Sequence, residues 1–351
     1  MTALTDTRSE PLWRTRLRLA AMASANNWQL FGQGLIGRIG LVIIGVFALM
    51  ALAHPLLMGM VWEPRIYDPV VGHDAVASEL VVVESVTDPT AQIDLSTARL
   101  RGNLDARVGD VVTRLLQPAP PSRAHLLGTD PLGRDVLSQL MASARAAFGL
   151  GALAAVVTVV IATTVGSVAA YFGGITDNLL MRFADLMLLI PLLPLLIVIS
   201  GFFTLELLHV GIVLGLLSGF GGTAVVLKSQ ALTVKVKPFV DAARVAGGGH
   251  AHIVFRHIVP NVLPLSLLYM VFTVTGAITT EAVLSFFGLL NVPMSWGIML
   301  NTTQINGYLL RGIDYWWLVI PPGLAVTLLA TAFFLVGRAM DEVVNPRLRS
   351  R

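Results

Sequence analysis

The sequence predicts an all-α integral membrane protein of six transmembrane helices, with a polar cytoplasmic loop before the fifth and an extended outer loop after the first. Three observations carry that expectation. The 351 residues are 55% hydrophobic and only 13% charged, with a mean hydropathy of +0.76; a soluble domain carries about 25% charged residues. Six uncharged runs reach the roughly 18 residues that cross a bilayer as a helix. The basic residues concentrate at the two ends of the chain and between the fourth and fifth runs.

The elements follow in chain order. Residues 1–35 form a polar N-terminal segment; Met1–Asn27 bears arginines and lacks an apolar core followed by a cleavage site, so no secretory signal is expected there. Residues 36–62 hold the first span, built on the run Leu41–Val61. Residues 63–125 form the outer loop, in which "ELVVVESV" (79–86) reads as a strand and "QPAPPS" (117–122) as a linker. A partly ordered cap is expected there. Residues 126–338 form the core with the remaining five spans. Ala146–Phe172 is rich in Gly, Ala, Ser and Thr, which suits close helix packing. Leu186–Leu205 contains Pro191 and Pro194, both expected to kink it. Val210–Leu227 follows, then a loop over 228–260, then Val259–Thr280 and Tyr315–Gly337. Residues 339–351 are a polar tail. No internal repeat or low-complexity tract is seen.

Orientation comes from the basic residues. Arg8, Arg14, Arg16, Arg18 and Arg38 lie before the first span; Lys228, Lys235, Lys237, Arg244 and Arg256 lie in the 228–260 loop; Arg338, Arg347, Arg349 and Arg351 lie at the end. An even number of spans with both termini and that loop in the cytoplasm satisfies the positive-inside rule. The long outer segment carries basic residues too, but long loops cross the membrane largely regardless of charge.

Several chemistries are disfavoured. The net charge of +3 says little about partners, and the absence of cysteine excludes disulfides, thiolate metal sites and cysteine nucleophiles. No Gly-x4-Gly-Lys-Ser/Thr loop is present: the three lysines are Lys228, Lys235 and Lys237, and none follows a glycine. No Gly-x-Ser-x-Gly or His-Glu-x-x-His motif appears, so no catalytic residue is nominated. His250, His252 and His257 form a candidate metal cluster, but His-x-His on a helix points its rings about 200° apart. Solvated or partner-facing histidines are the plainer reading, and no metal ligand is nominated. Asp185 and Glu206 border the third span and Glu281 follows the fifth; such groups face a cavity or a partner when placed in the membrane, and cost little near an interface. Asp185 and Glu281 are therefore kept as polar candidates. An ion-coupled secondary transporter using these three acids is the main rival function, although inverted repeats are common in that class. A membrane enzyme is the other.

The stretch "DAARVAGGGHAHIVFRHIVPNVLP" (241–264) reads as a docking element. Pro238 suits a helix start, Asp241 sits favourably in its first turn, and Gly247–Gly249 suit a corner between two helices. Ile253, Val254 and Ile258 fall at helical spacing. Two short amphipathic helices on the cytoplasmic face suit insertion into a groove of a soluble partner.

This stretch resembles the EAA motif of ABC importer permeases, with Asp241 where that motif has Glu and with Ala242, Ala243 and Gly247 matching. "HLLGTDPLGRDVLSQL" (125–140), "YFGGITDNLLMRFADLMLLIP" (171–191), "EAVLSFFGLL" (281–290), "SWGIML" (295–300) and "DEVVNPRLR" (341–349) are similar to the C-type subunit of dipeptide, oligopeptide and nickel importers. The join between Leu290 and Ser295 is shorter, and the outer loop longer, than that family leads one to expect. The resemblance implies the type I ABC importer permease fold in a bacterial inner membrane. It implies pairing with a homologous second permease, two ABC ATPase subunits (or one heterodimer) that bind ATP and Mg, and an extracytoplasmic substrate-binding protein. No cofactor in this chain and no nucleic-acid partner are expected. The ATPase-docking residues it implies are Asp241, Ala242, Ala243, Arg244, Gly247, His250 and Arg256. Peptides are the expected solute; nickel chelates, glutathione and oligosaccharides are the alternatives within the family.

Overall fold

A computed structural model describes residues 31, 34–74, 78–83, 107–115 and 118–344. The N-terminal arginines before Arg38, the middle of the outer loop and the tail from 345 onward lie outside the described residues. The first span is α1, Leu35–Met60. Its buried residues Gly37, Gly40, Phe47 and His54 form one stripe, and most of its remaining surface is apolar and exposed, as a lipid-facing helix requires. A one-turn helix α2 (Pro64–Tyr67) follows.

The strand expected in 79–86 is present as β1, Ser78–Val82, and it pairs antiparallel with β2, Val111–Leu115, from Ser78 opposite Leu115 to Val82 opposite Val111. The 117–122 stretch is no free linker. Pro118 and Ala119 are buried, and the Ala119 N–H donates to Thr129 Oγ1 (2.8 Å).

The bundle is organised around α3, Val136–Phe172, a 37-residue helix and hence about 55 Å long. It starts ten residues before the uncharged run does, because Ser138, Gln139 and Ser143 are turned inward and buried, so their polarity costs no exposed surface. Asp135 caps it by accepting from Ser138 N–H (2.6 Å). Around α3 pack α6 (Leu207–Phe220), α7 (Gly222–Lys235) and α10 (Val259–Phe286). On α6, Gly211, Gly215 and Gly219 repeat every four residues. A Cβ at each would come within 2.5, 2.5 and 2.9 Å of Leu153, Val157 and Ile161 of α3. This is the small-xxx-small close approach that lets helices associate in lipid, where no hydrophobic force distinguishes helix from solvent.

The third and fourth expected spans are not straight helices. The first comprises α4 (Gly174–Leu189) and α5 (Leu192–Ser200), bent by 74°, and the second comprises α6 and α7, bent by 43°. Pro191 lies at the first break, as its missing N–H dictates. Pro194 does not add a kink; it occupies the first turn of α5, where its N–H would be unpaired anyway. Gly221 forms the second break. Among the described residues, α1, α3, the helical stretch His250–Phe286 and the stretch Ile313–Val343 are long and apolar enough to cross a membrane, and each bent pair meets that length when taken together.

After α10, α11 (Trp296–Ile305) leads through a tight 3-10 segment, Leu309–Tyr315, to α12 (Trp316–Val344). Trp296 is fully buried, edge-on to Phe47 of α1 at 5.4 Å, and its indole N–H donates to the Leu140 carbonyl (3.0 Å). The helix ends around Asp135 are tied by buried polar groups. His125 faces Asp135 through Nδ1 (2.9 Å) and Asp74 through Nε2 (3.0 Å). Arg134 pairs with Asp130 (2.6 Å), which also accepts from Gln139 (3.0 Å). Burial pushes the Asp135 carboxyl above its ordinary range, while the hydrogen bonds from Ser138 and His125 pull it back.

Candidate functional site: an exposed loop and a neutral groove

The loop begins later than the basic residues suggest, because Lys228 and Lys235 belong to α7. Lys228 forms an ion pair with Asp177 of α4. The exposed Val236 and Lys237 then lead into α8, Pro238–Val245. The glycine corner forms as a helix stop. The Gly247 N–H donates to the Arg244 carbonyl (3.0 Å) and the Gly248 N–H to the Ala243 carbonyl (2.9 Å), with Gly247 at φ +80°. That left-handed backbone strains any residue with a Cβ. The chain then re-enters helix at α9, His250–Ile253. A π-helical turn, Val254–Ile258, runs directly into α10.

The loop's apolar residues point into the bundle rather than out to a partner. Val240, Ile253, Val254 and Ile258 are at most 2% exposed and pack with Ala162, Val165, Ala170 and Tyr171 of α3 and with Leu227 and Val234 of α7. This corrects the expectation that the 253, 254 and 258 stripe serves docking. The other face is open. Asp241, Ala242, Arg244, Gly247, His250 and Arg256 are exposed, with Ala243 half-buried beside them. Val245, at the end of α8, is 90% exposed. Asp241 and Arg244 pair with each other (2.9 Å) at the surface, an arrangement of little worth to stability that leaves both reachable. The three histidines do not converge. His250 Nδ1 and Tyr171 Oη share a hydrogen bond (2.8 Å), whereas the rings of His252 and His257 meet edge to face at 5.5 Å.

The two acidic candidates separate. Asp185 is exposed on α4, one turn before the break at Pro191. Glu281 is fully buried on α10, where the Ser285 hydroxyl donates to Oε1 (2.8 Å). It faces the interior of the bundle. Glu206 is exposed and forms a reciprocal cap with His209 at the start of α6.

A groove of about 450 Å³ lies where the two helix breaks meet α10. Leu188 of α4 lies against Gly221 and Gly222 at the α6–α7 break, so the two interruptions adjoin. Its polar lining is Ser218, Thr223, Tyr269, Thr273 and Thr280, and no charged side chain lines it. Broken helices free backbone carbonyls, which at membrane depth are tolerated only inside protein or beside a watery cavity. The groove is lined by apolar side chains and a few hydroxyls, without charge. Sequence reasoning nominated none of these lining residues, because single Ser, Thr and Tyr residues in apolar helices carry no periodic signal. Of the two breaks that shape the groove, only the one at Pro191 was expected from the sequence.

Comparison with known proteins bears on this arrangement. Residues 162–350 match the family described as the binding-protein-dependent transport system inner membrane component. The chain is 34% identical over 233 residues to a putative peptide transport system permease protein of Brucella suis, covering 66% of this chain and 76% of that protein. It is 34% identical over 240 residues to the oligopeptide transport system permease protein of Bacillus subtilis (66% and 74% covered). It is 31% identical over 238 residues to the dipeptide transport system permease protein of the same organism (66% and 72% covered).

Proposed function

Because this chain belongs to the family of binding-protein-dependent transport inner membrane components, we propose that it forms half of a pore that imports peptides, and that its 238–258 loop takes up the motion of partner ATPase subunits. The division of that loop carries the proposal. Its apolar side is sealed into the bundle, while Asp241, Ala242, Arg244, Gly247, His250 and Arg256 are exposed, as is Val245 at the end of α8. A surface whose underside is welded to the helices passes a push on to them. The chain is a multi-pass membrane protein; six spans, with both termini and this loop in the cytoplasm, fit the basic residues. ATP and Mg are then bound by two ABC ATPase subunits. A homologous permease completes the pore, and an extracytoplasmic binding protein delivers the solute. Peptides are favoured by the named relatives.

Purification of the assembled membrane complex tests this directly. A P-loop ATPase should copurify with the chain, and Gly247→Asp or deletion of 241–249 should abolish uptake while the membrane level of the chain is unchanged. ATP-coupled uptake at the normal rate in either variant, or solute transport by the purified chain alone, would overturn the proposal.

A further inference from the structure

Two side chains of the loop and one from the helix before it reach the same helix end. Lys235, the last residue of α7, donates from Nζ to the Ala170 carbonyl (2.9 Å). Arg244, in the last turn of α8, stands over the Tyr171 ring at 5.6 Å. His250, the first residue of α9, shares a hydrogen bond between its Nδ1 and Tyr171 Oη (2.8 Å). Tyr171 is itself 7% exposed in the last turn of α3, two residues before Gly173 and Gly174, whose positive φ values end that helix. One aromatic side chain thus meets the loop on both sides of its glycine corner.

The apolar underside joins the loop to the bundle, and the polar contacts add a fixed direction to that joint. Val240, Ile253, Val254 and Ile258 hold the loop at a fixed depth, but hydrophobic contact is non-directional and resists sliding weakly. A hydrogen bond fixes both distance and angle. We propose that Tyr171 is a positioning residue: through His250 and Arg244 it locks the loop in register with the end of α3, so that loop and helix move as one piece. This rests on the docking role given above to the loop, and it adds the side chain through which displacement enters the central helix. Because α3 packs against α1, α6, α7 and α10, a displacement entering there reaches both walls of the groove.

The chain has no cysteine, so paired spin labels can be placed cleanly. Labels at Val160→Cys, on the exposed face of α3, and Phe255→Cys, exposed on the loop, report their separation in the assembled complex, nucleotide-free and after ATP–vanadate trapping. The wild-type distance should be single and the same in both states. Tyr171→Phe and His250→Leu should broaden or shift it, while His250→Asn, which keeps an acceptor near the Nδ1 position, should restore it. The double variant Tyr171→Phe/His250→Leu should be no worse than either single, since both remove one bond. Solute moved per ATP should fall about three- to tenfold in Tyr171→Phe, the range one hydrogen bond supports. A separation that changes with nucleotide in the wild type, or a wild-type distribution in Tyr171→Phe, overturns the proposal. So does loss of ATPase copurification in Tyr171→Phe, which would make Tyr171 a part of the docking surface. Failure of the wild-type chain to bind any ATPase sinks the docking role instead, and the nucleotide-free distances still decide the lock.

Discussion

Single residues already distinguish the roles along this chain. Gly247 holds φ +80° with open space around its missing Cβ, so only backbone strain opposes substitution there. Asn tolerates that conformation and a β-branched residue does not; Gly247→Asn should keep most uptake and Gly247→Val should lose it, at equal membrane levels by immunoblot. Glu281 was legible as an oddity of charge in an apolar run, but not as what it is, a fully buried group bonded to Ser285. Glu281→Gln keeps an acceptor and nearly the same volume. It should leave the assembled level of the protein near normal, whereas Glu281→Ala leaves a buried hydroxyl unpaired beside a cavity and should lower it, as measured by thermal stability in detergent. Asp241 stands where the resemblance leads one to expect Glu, and its exposed pairing with Arg244 shows that the shorter arm reaches a neighbour within its own helix. Tyr171 gave no signal in sequence, since an aromatic before two glycines at a helix end is common.

At the scale of elements, composition foretold the helices and not their breaks. The Gly211–Gly215–Gly219 repeat sets how near α6 lies to α3. Gly215→Leu should force the pair apart, costing more than the roughly 1–3 kcal/mol of ordinary overpacking because the residues met include the α3 backbone at Ala154; loss of the folded, monodisperse complex in size-exclusion chromatography checks this. The outer cap is an element that only long-range contact could reveal. His125, Asp74 and Asp135 are separated by up to 61 positions in sequence, yet their side chains meet within 3.0 Å. His125→Ala removes the group between two buried carboxylates and should cost about 3–5 kcal/mol, read as a lowered melting temperature with the β1–β2 region detached to proteolysis. The "HLLGTDPLGRD" stretch was legible as a motif; its role as a structural clasp was not.

At the scale of the whole molecule, the groove and the loop belong to one mechanical body through α3 and α10. A cysteine at Thr273 should react with a hydrophilic thiol reagent in intact membranes and be protected during turnover, whereas one at Leu49, 67% exposed on lipid-facing α1, should not react; equal labelling of both would remove the groove from the solute path. By itself the sequence determined what short-range physics decides: apolar length makes spans, and Pro191 marks where one of them breaks. The orientation read from the basic residues and the docking role read from the 241–264 stretch belong to the proposed function. The tertiary structure alone decided which face of that loop is buried, which acids are enclosed, and which hydroxyls share a groove. Those outcomes depend on contacts between residues tens of positions apart, and the long helices α1, α3 and α10 are apolar with little periodicity, so hydrophobic patterning there cannot tell a lipid-facing side from a buried one.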